Sequence, residues 1–388
     1  MDEDISRELA IDPRTGRVPS TVAQMMFRGE GLIAICEPSI VAALDAASEN
    51  TRQAWSNDWE VFRGWMMGPA ATRFDEESRL RLPVLPHVLA AFVKDMACGD
   101  KDTPARAIAT VRRYLSTIGT LHRLLRLEDP CKDPIVRNVL KARARGAGDQ
   151  GQAAPVRWSD VKKACDVLPS TLQGLRDKAL LAVGHNTMAR RAELVALDVA
   201  DIVFYETHAL AMLKPTKGRL ESAPDPRVIG SHAMALVREW LEASGLREGA
   251  LFTAVHLKGG ARCSNGARGS ARRVFDYGRR LRAAEVNLVI KRAMALIAQA
   301  NGDVALPVAA KERKAAILRY AKDYSGHSMR VGATQDLAED GITTELILQS
   351  GGWSDSRMIK RYLRNLDASN GGMAQFLKKL TSPQDATK

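Results

Sequence analysis

Seven side chains in this sequence are of the right types to carry one reaction between them. In MARRAELVAL, Arg190 and Glu193 stand three residues apart. On a helix that spacing puts them on one face, where the carboxylate can hold the guanidinium in one rotamer and leave its other donors free. Leu194 and Leu197 would then face the core. KPTKG places Lys217 in an expected β-turn, from which a long side chain can reach a neighbouring cleft. In SGHSMR, His327 and Arg330 repeat the three-residue spacing. Two glycines interrupt the helical pattern before Trp353, and Tyr362 follows nine residues later in KRYLRN. Ser354 or Asp355 can cap the helix that carries this tyrosine.

Two guanidiniums suit a phosphodiester whose oxygens gain charge in the transition state. A tyrosine hydroxyl can act as the nucleophile. A phenol of ordinary pKa is only about 0.1% ionised at pH 7, a cost of roughly 4 kcal/mol that neighbouring cations or a base must lower. A departing sugar oxygen is a far worse anion and needs a proton donor, a part a lysine can fill. The positive charge is already in the side chains, so such chemistry calls for no metal and no cofactor, and no carboxylate cluster for Mg²⁺ stands out. Taken singly, each feature has a plainer reading. His327 and Arg330 fit a solvated helix face, and Arg190 with Glu193 fits a surface ion pair worth under about 1 kcal/mol. Trp353 fits a core anchor, Tyr362 a half-buried helix residue and Lys217 a turn. Composition and spacing alone leave that choice open.

The elements that must position these residues follow from pattern. With 388 residues, 45% hydrophobic and 26% charged, the chain is of globular composition and long enough for two domains. Its formal charge of +12 favours a polyanionic partner, most simply nucleic acid. No apolar run approaches a membrane span, and the acidic start MDEDISRELAIDPRTG is unlike a signal peptide. The five cysteines are scattered without a CxxC pair, which points away from disulfides and zinc and toward a reducing cytoplasm. Residues 1–35 read as a loose segment. Residues 36–145 read as an all-helical unit, with Asp133-Pro134 as a helix start. GAGDQGQAAP, residues 146–155, reads as a linker. Residues 156–388 read as a second, mostly helical unit. Its stretch 200–230 alternates and turns like a small antiparallel sheet, and KGGARCSNGARGSARR like a loop.

RRAEL, PTKG, HSMR, GGW and Tyr362, in that order, resemble the signature of the tyrosine site-specific recombinases, the phage-integrase family. SGHSMRVGA, the GGW turn and YLRNLD extend this to a close resemblance to one member, over most of residues 40–380. The R-x-x-E register selects Arg190 as the catalytic arginine over Arg191, which stands where the family usually has an apolar residue. The resemblance implies two domains clamping DNA. Arg190 and Arg330 would bind the scissile phosphate, Tyr362 would attack it to form a 3′-phosphotyrosyl link, and Lys217 would protonate the leaving 5′ oxygen. His327 and Trp353 would hydrogen-bond the phosphate, His327 being also a candidate base, and Glu193 would orient the site. The implied partner is double-stranded DNA carrying a specific inverted-repeat site. A dimer on each site would make a homotetramer that exchanges strands through a Holliday junction, without membrane attachment. Thr51, Gln53 and Asn57 fall on a helix expected in the major groove, Arg112, Arg113 and Ser116 on another, and Arg282, Glu285 and Asn287 at the start of a third. For each of these, base readout, backbone contact and a solvated face all remain open. The last helix, with an apolar face of Met373, Phe376, Leu377 and Leu380, would dock on a neighbouring protomer, packing on its own domain being the alternative. A nicking-closing enzyme of the same chemistry, and a non-catalytic DNA-binding regulator, are the alternatives.

Overall fold

The computed structural model of the chain describes residues 46–80, 83–99, 104–124, 127–146, 151–214, 224–255, 279–364, 372–373 and 376–377. Residues 1–35, Lys217, Leu380 and the loop at 258–273 lie outside the described residues. The chain forms two compact units, Met1–Gln150 and Gly151–Lys388.

The first unit is helical. Ser48 caps α1 (Glu49–Met67) by accepting from the Thr51 amide. Then come α2 (Glu76–Leu80), α3 (Pro86–Cys98), α4 (Ile108–Leu124) and α5 (Pro134–Gly146). Asp133 caps α5 by accepting from Ile135 N at 2.8 Å, with Pro134 in the first helical position, as the sequence predicts. Three- and four-residue spacing puts Trp59, Phe62, Trp65 and Met66 on the buried face of α1. There Phe62 and Trp65 meet Phe92 of α3 edge to face, at 4.9 and 5.4 Å between ring centres. Asp58, only 1% exposed, lashes α1 to α4: it accepts from Thr117 Oγ1 at 2.8 Å and pairs with Arg113 Nη1 at 2.5 Å.

The second unit is built round α7 (Leu172–Asn186), which follows α6 (Trp158–Val167). Helix α7 buries apolar residues all round, including Leu175 and Ala179 to Val183, and so has no solvent stripe. The short α8 (Arg191–Ala196) leads into an antiparallel sheet of three strands in the order β1 (Ile202–Phe204), β2 (Ala209–Leu213) and β3 (Asp225–Ile229). Ala209, Ala211 and Leu213 alternate inward, and the register pairs Ala209 with Ile229. The connection from β2 to β3 carries Lys217. Next are α9 (Ser231–Ser244), which packs on α7, and α10 (Ala283–Ala300). The sequence reading did not find α11 (Ala310–Tyr320). Its AKERKAAILRY buries no residue, so no apolar stripe marks it. The last helices are α12 (Ser328–Glu339), α13 (Thr344–Gly351) and α14 (Arg357–Leu363). Helix α14 starts later than Ser354 or Asp355 would place it. Ser356 is the boundary residue, and Asp355 still accepts from Arg357 N at 2.7 Å. Met373, Phe376 and Leu377 are exposed. Among the described residues no helix is long and apolar enough to cross a membrane.

Helix α12 is pinned against the segment that leads into α6. Val156 N donates to Ser328 O, and Ala154 N to Asp323 O, each at 2.9 Å. A β-carbon on Gly332 would fall on the Val156 carbonyl, so this glycine permits the close approach. Gly332→Ala is expected to cost about 1–3 kcal/mol through overpacking against backbone that has little room to yield. Urea denaturation of the two proteins checks this, and an unchanged midpoint would contradict it.

Candidate active site

Arg330 lies in the first turn of α12 and is 2% exposed. One guanidinium nitrogen donates to the carbonyl of Met188 and another to that of Gly351, the latter at 2.9 Å. Its Cζ lies over the Trp353 ring, 4.6 Å from the ring centre. Burial pushes Arg330 down to about 10, and the Arg190 charge adds to the push, while Tyr362 and Glu193 act in the opposite sense. It therefore stays charged at neutral pH. Met188 reaches its position with φ +50°, a left-handed backbone that costs a residue with a β-carbon about 1–3 kcal/mol.

Two residues after Met188, Arg190 sets the start of α8. Glu193 accepts from its backbone N at 2.7 Å and from its Nη1 at 2.6 Å. This is the lock anticipated from the spacing, and Leu194 and Leu197 are buried as expected. The Arg190 side chain stays half exposed, with donors free for an incoming anion.

Tyr362 is 4% exposed and packs edge to face with Trp353, ring centres 5.6 Å apart. Gly352 ends α13 with φ +59°, and a β-carbon on Gly351 would strike the Trp353 ring. Both glycines before Trp353 are thus required by the turn that aims it. The carbonyl of Tyr362 accepts from Gln152 Nε2 and Gln335 Nε2, each at 3.0 Å. Gln335 sits in α12, five residues after Arg330, so one helix positions both groups. Asp336 beside it accepts from Arg157 Nε at 2.5 Å, Trp158 N at 2.8 Å and pairs with His185 Nε2 at 2.9 Å. Gln152, Gln335, Asp336 and the Met188 carbonyl escaped the sequence reading. A glutamine and an aspartate on the helix that carries Arg330 were the only available signal.

His327 precedes α12 and remains solvent-accessible. Its turn is held by Ser325 N donating to Ser328 Oγ at 2.9 Å and by Gly326 N donating to Asn287 Oδ1 at 2.7 Å. Partial enclosure lowers the imidazole pKa first, followed by the charges of Arg330, Arg191, Arg361 and Arg190.

The structure therefore gathers Arg190, Glu193, His327, Arg330, Trp353 and Tyr362 in the second unit. The residues expected at base edges divide. Gln53 and Asn57 are exposed one turn apart and bonded to each other at 2.9 Å, while Thr51 is part-buried beside the Ser48 cap. Arg112 and Ser116 are exposed, whereas Arg113 is engaged by Asp58. Arg282 is exposed ahead of α10. Glu285 accepts from Arg279 Nη2 at 2.8 Å and from Arg282 N at 2.7 Å, and Arg279 is the main cause that holds its carboxyl down to about 2. Asn287 faces Gly326. Glu285 and Asn287 are thus occupied with structure.

The description "Phage integrase family" matches residues 156–369, more than half of the chain. The chain belongs to the phage integrase family. Among relatives of this integrase-family chain, the recombinase Cre of Escherichia phage P1 is 26% identical over 281 residues, 70% of this chain and 75% of Cre. An integrase/recombinase XerD homolog of Selenomonas ruminantium is 22% identical over 329 residues, 81% of this chain and 82% of that protein. The close resemblance to one member read from the motifs is, at 26%, a family likeness. The Tn1549 transposon integrase solved with transposon right end DNA matches with a TM-score of 0.58 at 12% identity, over 93% of this chain and 100% of that chain. XerH recombinase bound to difH substrate matches at 0.51 and 13%, over 86% and 79%. These likenesses bear out the mainly helical recombinase fold with its small antiparallel sheet.

His327 should titrate below 6.5 in the folded protein. An NMR pH titration, assigned by loss of the signal in His327→Ala, checks it, and a midpoint at or above 6.5 would contradict the electrostatics described. The sign for stability follows. The unfolded chain binds this proton at higher pH, so His327 lowers stability as pH falls from above 6.5 through the folded value.

Proposed function

We propose that this protein is a site-specific DNA recombinase that cuts and rejoins duplex DNA at sites built of inverted repeats. The observation that carries the reading is the pairing of a buried, charged Arg330 with the buried ring of Tyr362, beside an Arg190 oriented by Glu193. Two guanidiniums suit the non-bridging oxygens of one phosphate and stabilise the charge that grows there. The Tyr362 oxygen attacks phosphorus and the bond to the 5′ oxygen breaks. That oxygen takes the bond's electron pair and a proton from Lys217, leaving a 3′-phosphotyrosyl link and a free 5′-hydroxyl. His327, kept neutral by its surroundings, accepts the tyrosine proton. Trp353 packs on Arg330 and Tyr362 and offers its indole N–H to the phosphate. Attack by the 5′-hydroxyl of a partner strand reverses the chemistry, so bond energy is conserved and neither ATP nor a metal is called for.

The reading extends to a dimer on each site and a tetramer on two, with exchange through a Holliday junction. The helical unit serves as the core-binding half, where exposed Gln53, Asn57, Arg112 and Ser116 support contact with DNA. Exposed Met373, Phe376 and Leu377 support docking of the C-terminal segment on a neighbour. The protein works in the cytoplasm, on nucleoid or plasmid DNA.

The test is to incubate the protein with duplex DNA from the region flanking its gene and look for a protein–DNA adduct that survives denaturation. An adduct that Tyr362→Phe abolishes is expected. An adduct surviving that substitution, or none on a site the protein binds specifically, would sink the mechanism. Exchange between two sites, rather than relaxation of one circle, separates recombination from nicking and closing. Lys217→Ala should slow adduct formation on ordinary DNA by about 10²- to 10⁴-fold. A 5′-bridging sulfur at the cleaved linkage should restore it, because a thiolate leaves without a proton. An equal defect on both substrates would remove Lys217 from the acid role.

A further inference from the structure

Arg191 opens α8 directly after Arg190, yet the two side chains have different neighbours. Arg190 is drawn to Glu193. Arg191 lies along Gly326: a β-carbon placed on that glycine would sit 3.0 Å from Arg191 Cδ and 3.1 Å from its Cβ. Gly326 is buried and is fixed in turn by Asn287, whose Oδ1 accepts from its amide at 2.7 Å. The stem of Arg191 is thus packed against the residue before His327, and its charge is felt at that imidazole.

Its guanidinium is a different matter. Arg191 is exposed and makes no hydrogen bond or ion pair among the described residues. It stands in a field already made positive by Arg190, Arg330 and Arg361, all of which act on the same imidazole. A cation held there with no counter-charge is repelled by its neighbours until a polyanion arrives. A long side chain whose stem is already packed also loses less rotamer freedom on gripping a ligand than one free in water. Arg190 and Arg330 are sufficient for the two non-bridging oxygens of one phosphate. A third guanidinium, its stem packed along Gly326, needs a second phosphate.

We propose that Arg191 binds the DNA phosphate next to the scissile one, as a further DNA-contacting residue of this site that fixes the strand's register over Tyr362. This rests on the recombinase reading above for the scissile position and the register over Tyr362. Phosphate contact by Arg191 stands or falls without it.

Two measurements on the full-length protein test it. The first is the salt dependence of binding to a labelled duplex of random sequence, by fluorescence anisotropy. Arg191→Ile, which keeps an apolar stem on Gly326, should reduce the slope of log K against log salt by about 0.9, the loss of one phosphate contact, and Arg191→Lys should restore it. Arg191→Gln repeats the neutral substitution, and thermal melting shows which variants keep the fold. An unchanged slope in a folded neutral variant overturns the proposal, as does a folded lysine variant that behaves like the neutral ones. The second measurement places the contact by putting a neutral methylphosphonate at each linkage around the cleaved one and following adduct formation. At a neighbouring linkage the unsubstituted protein should slow and Arg191→Ile should show no further slowing. Equal sensitivity of both proteins at every neighbouring linkage overturns the assignment. If no adduct forms on any DNA, the recombinase reading has failed while the salt slopes still decide for or against Arg191.

Discussion

A guanidinium buried on backbone carbonyls governs this site. Arg330 is shut away from water and held by the carbonyls of Met188 and Gly351. Carbonyls satisfy its N–H groups but leave its charge uncancelled, and a buried charge without a full counter-charge is costly. Burial lowers its pKa to about 10 and no further, so the charge persists. The fold therefore keeps a positive potential in place at this point. The two carbonyls also explain how separate stretches of chain are brought to one point. Met188 stands just ahead of Arg190, and Gly351 just ahead of Trp353. One side chain thereby fixes the arginine motif, the glycine turn and, through the tryptophan ring, the tyrosine helix.

Helix α12 organises the remainder. It presents Arg330 on one turn and Gln335 on the next, so the buried guanidinium and the amide that holds the Tyr362 carbonyl move as one body. Asp336 ties that helix to Trp158 and His185, and Arg157 bridges it to Glu339 as well. Small misplacements of reacting groups are expensive, about 10²-fold in rate for 1 Å. A helix fastened on several sides is a suitable mount. Gly332 lets this fastening come within backbone contact of Val156.

Much of this arrangement was legible in the residues. Three-residue spacing brings Arg190 and Glu193 together, though as a cap rather than a shared helix face because Arg190 stands in extended backbone just ahead of α8, and Leu194 with Leu197 could be read as core. The alternation of β2 and the caps at Ser48 and Asp133 were equally plain, being local. What stayed hidden was of two kinds. Backbone acceptors such as the Met188 carbonyl have no residue signature, and Gln152 meets Tyr362 from 210 positions away. Helix α11 buries nothing and so shows no period. Asn287 and Glu285 were expected on a DNA-facing helix start, and one braces Gly326 while the other grips Arg279. A polar side chain at such a position has the same letter whether it faces a base or a neighbouring loop.

The hold on Tyr362 from Gln152 bears on where this protein can be cut. The match to the family description begins at residue 156, and a fragment started there would look like a whole second unit. It would lack Gln152 and Ala154, and with them one of the two amides on the Tyr362 carbonyl and the bond to Asp323. That match alone would draw the border inside the contacts that hold Tyr362. The support of Tyr362 begins at least four residues upstream of it, in a stretch that composition alone marks as connector.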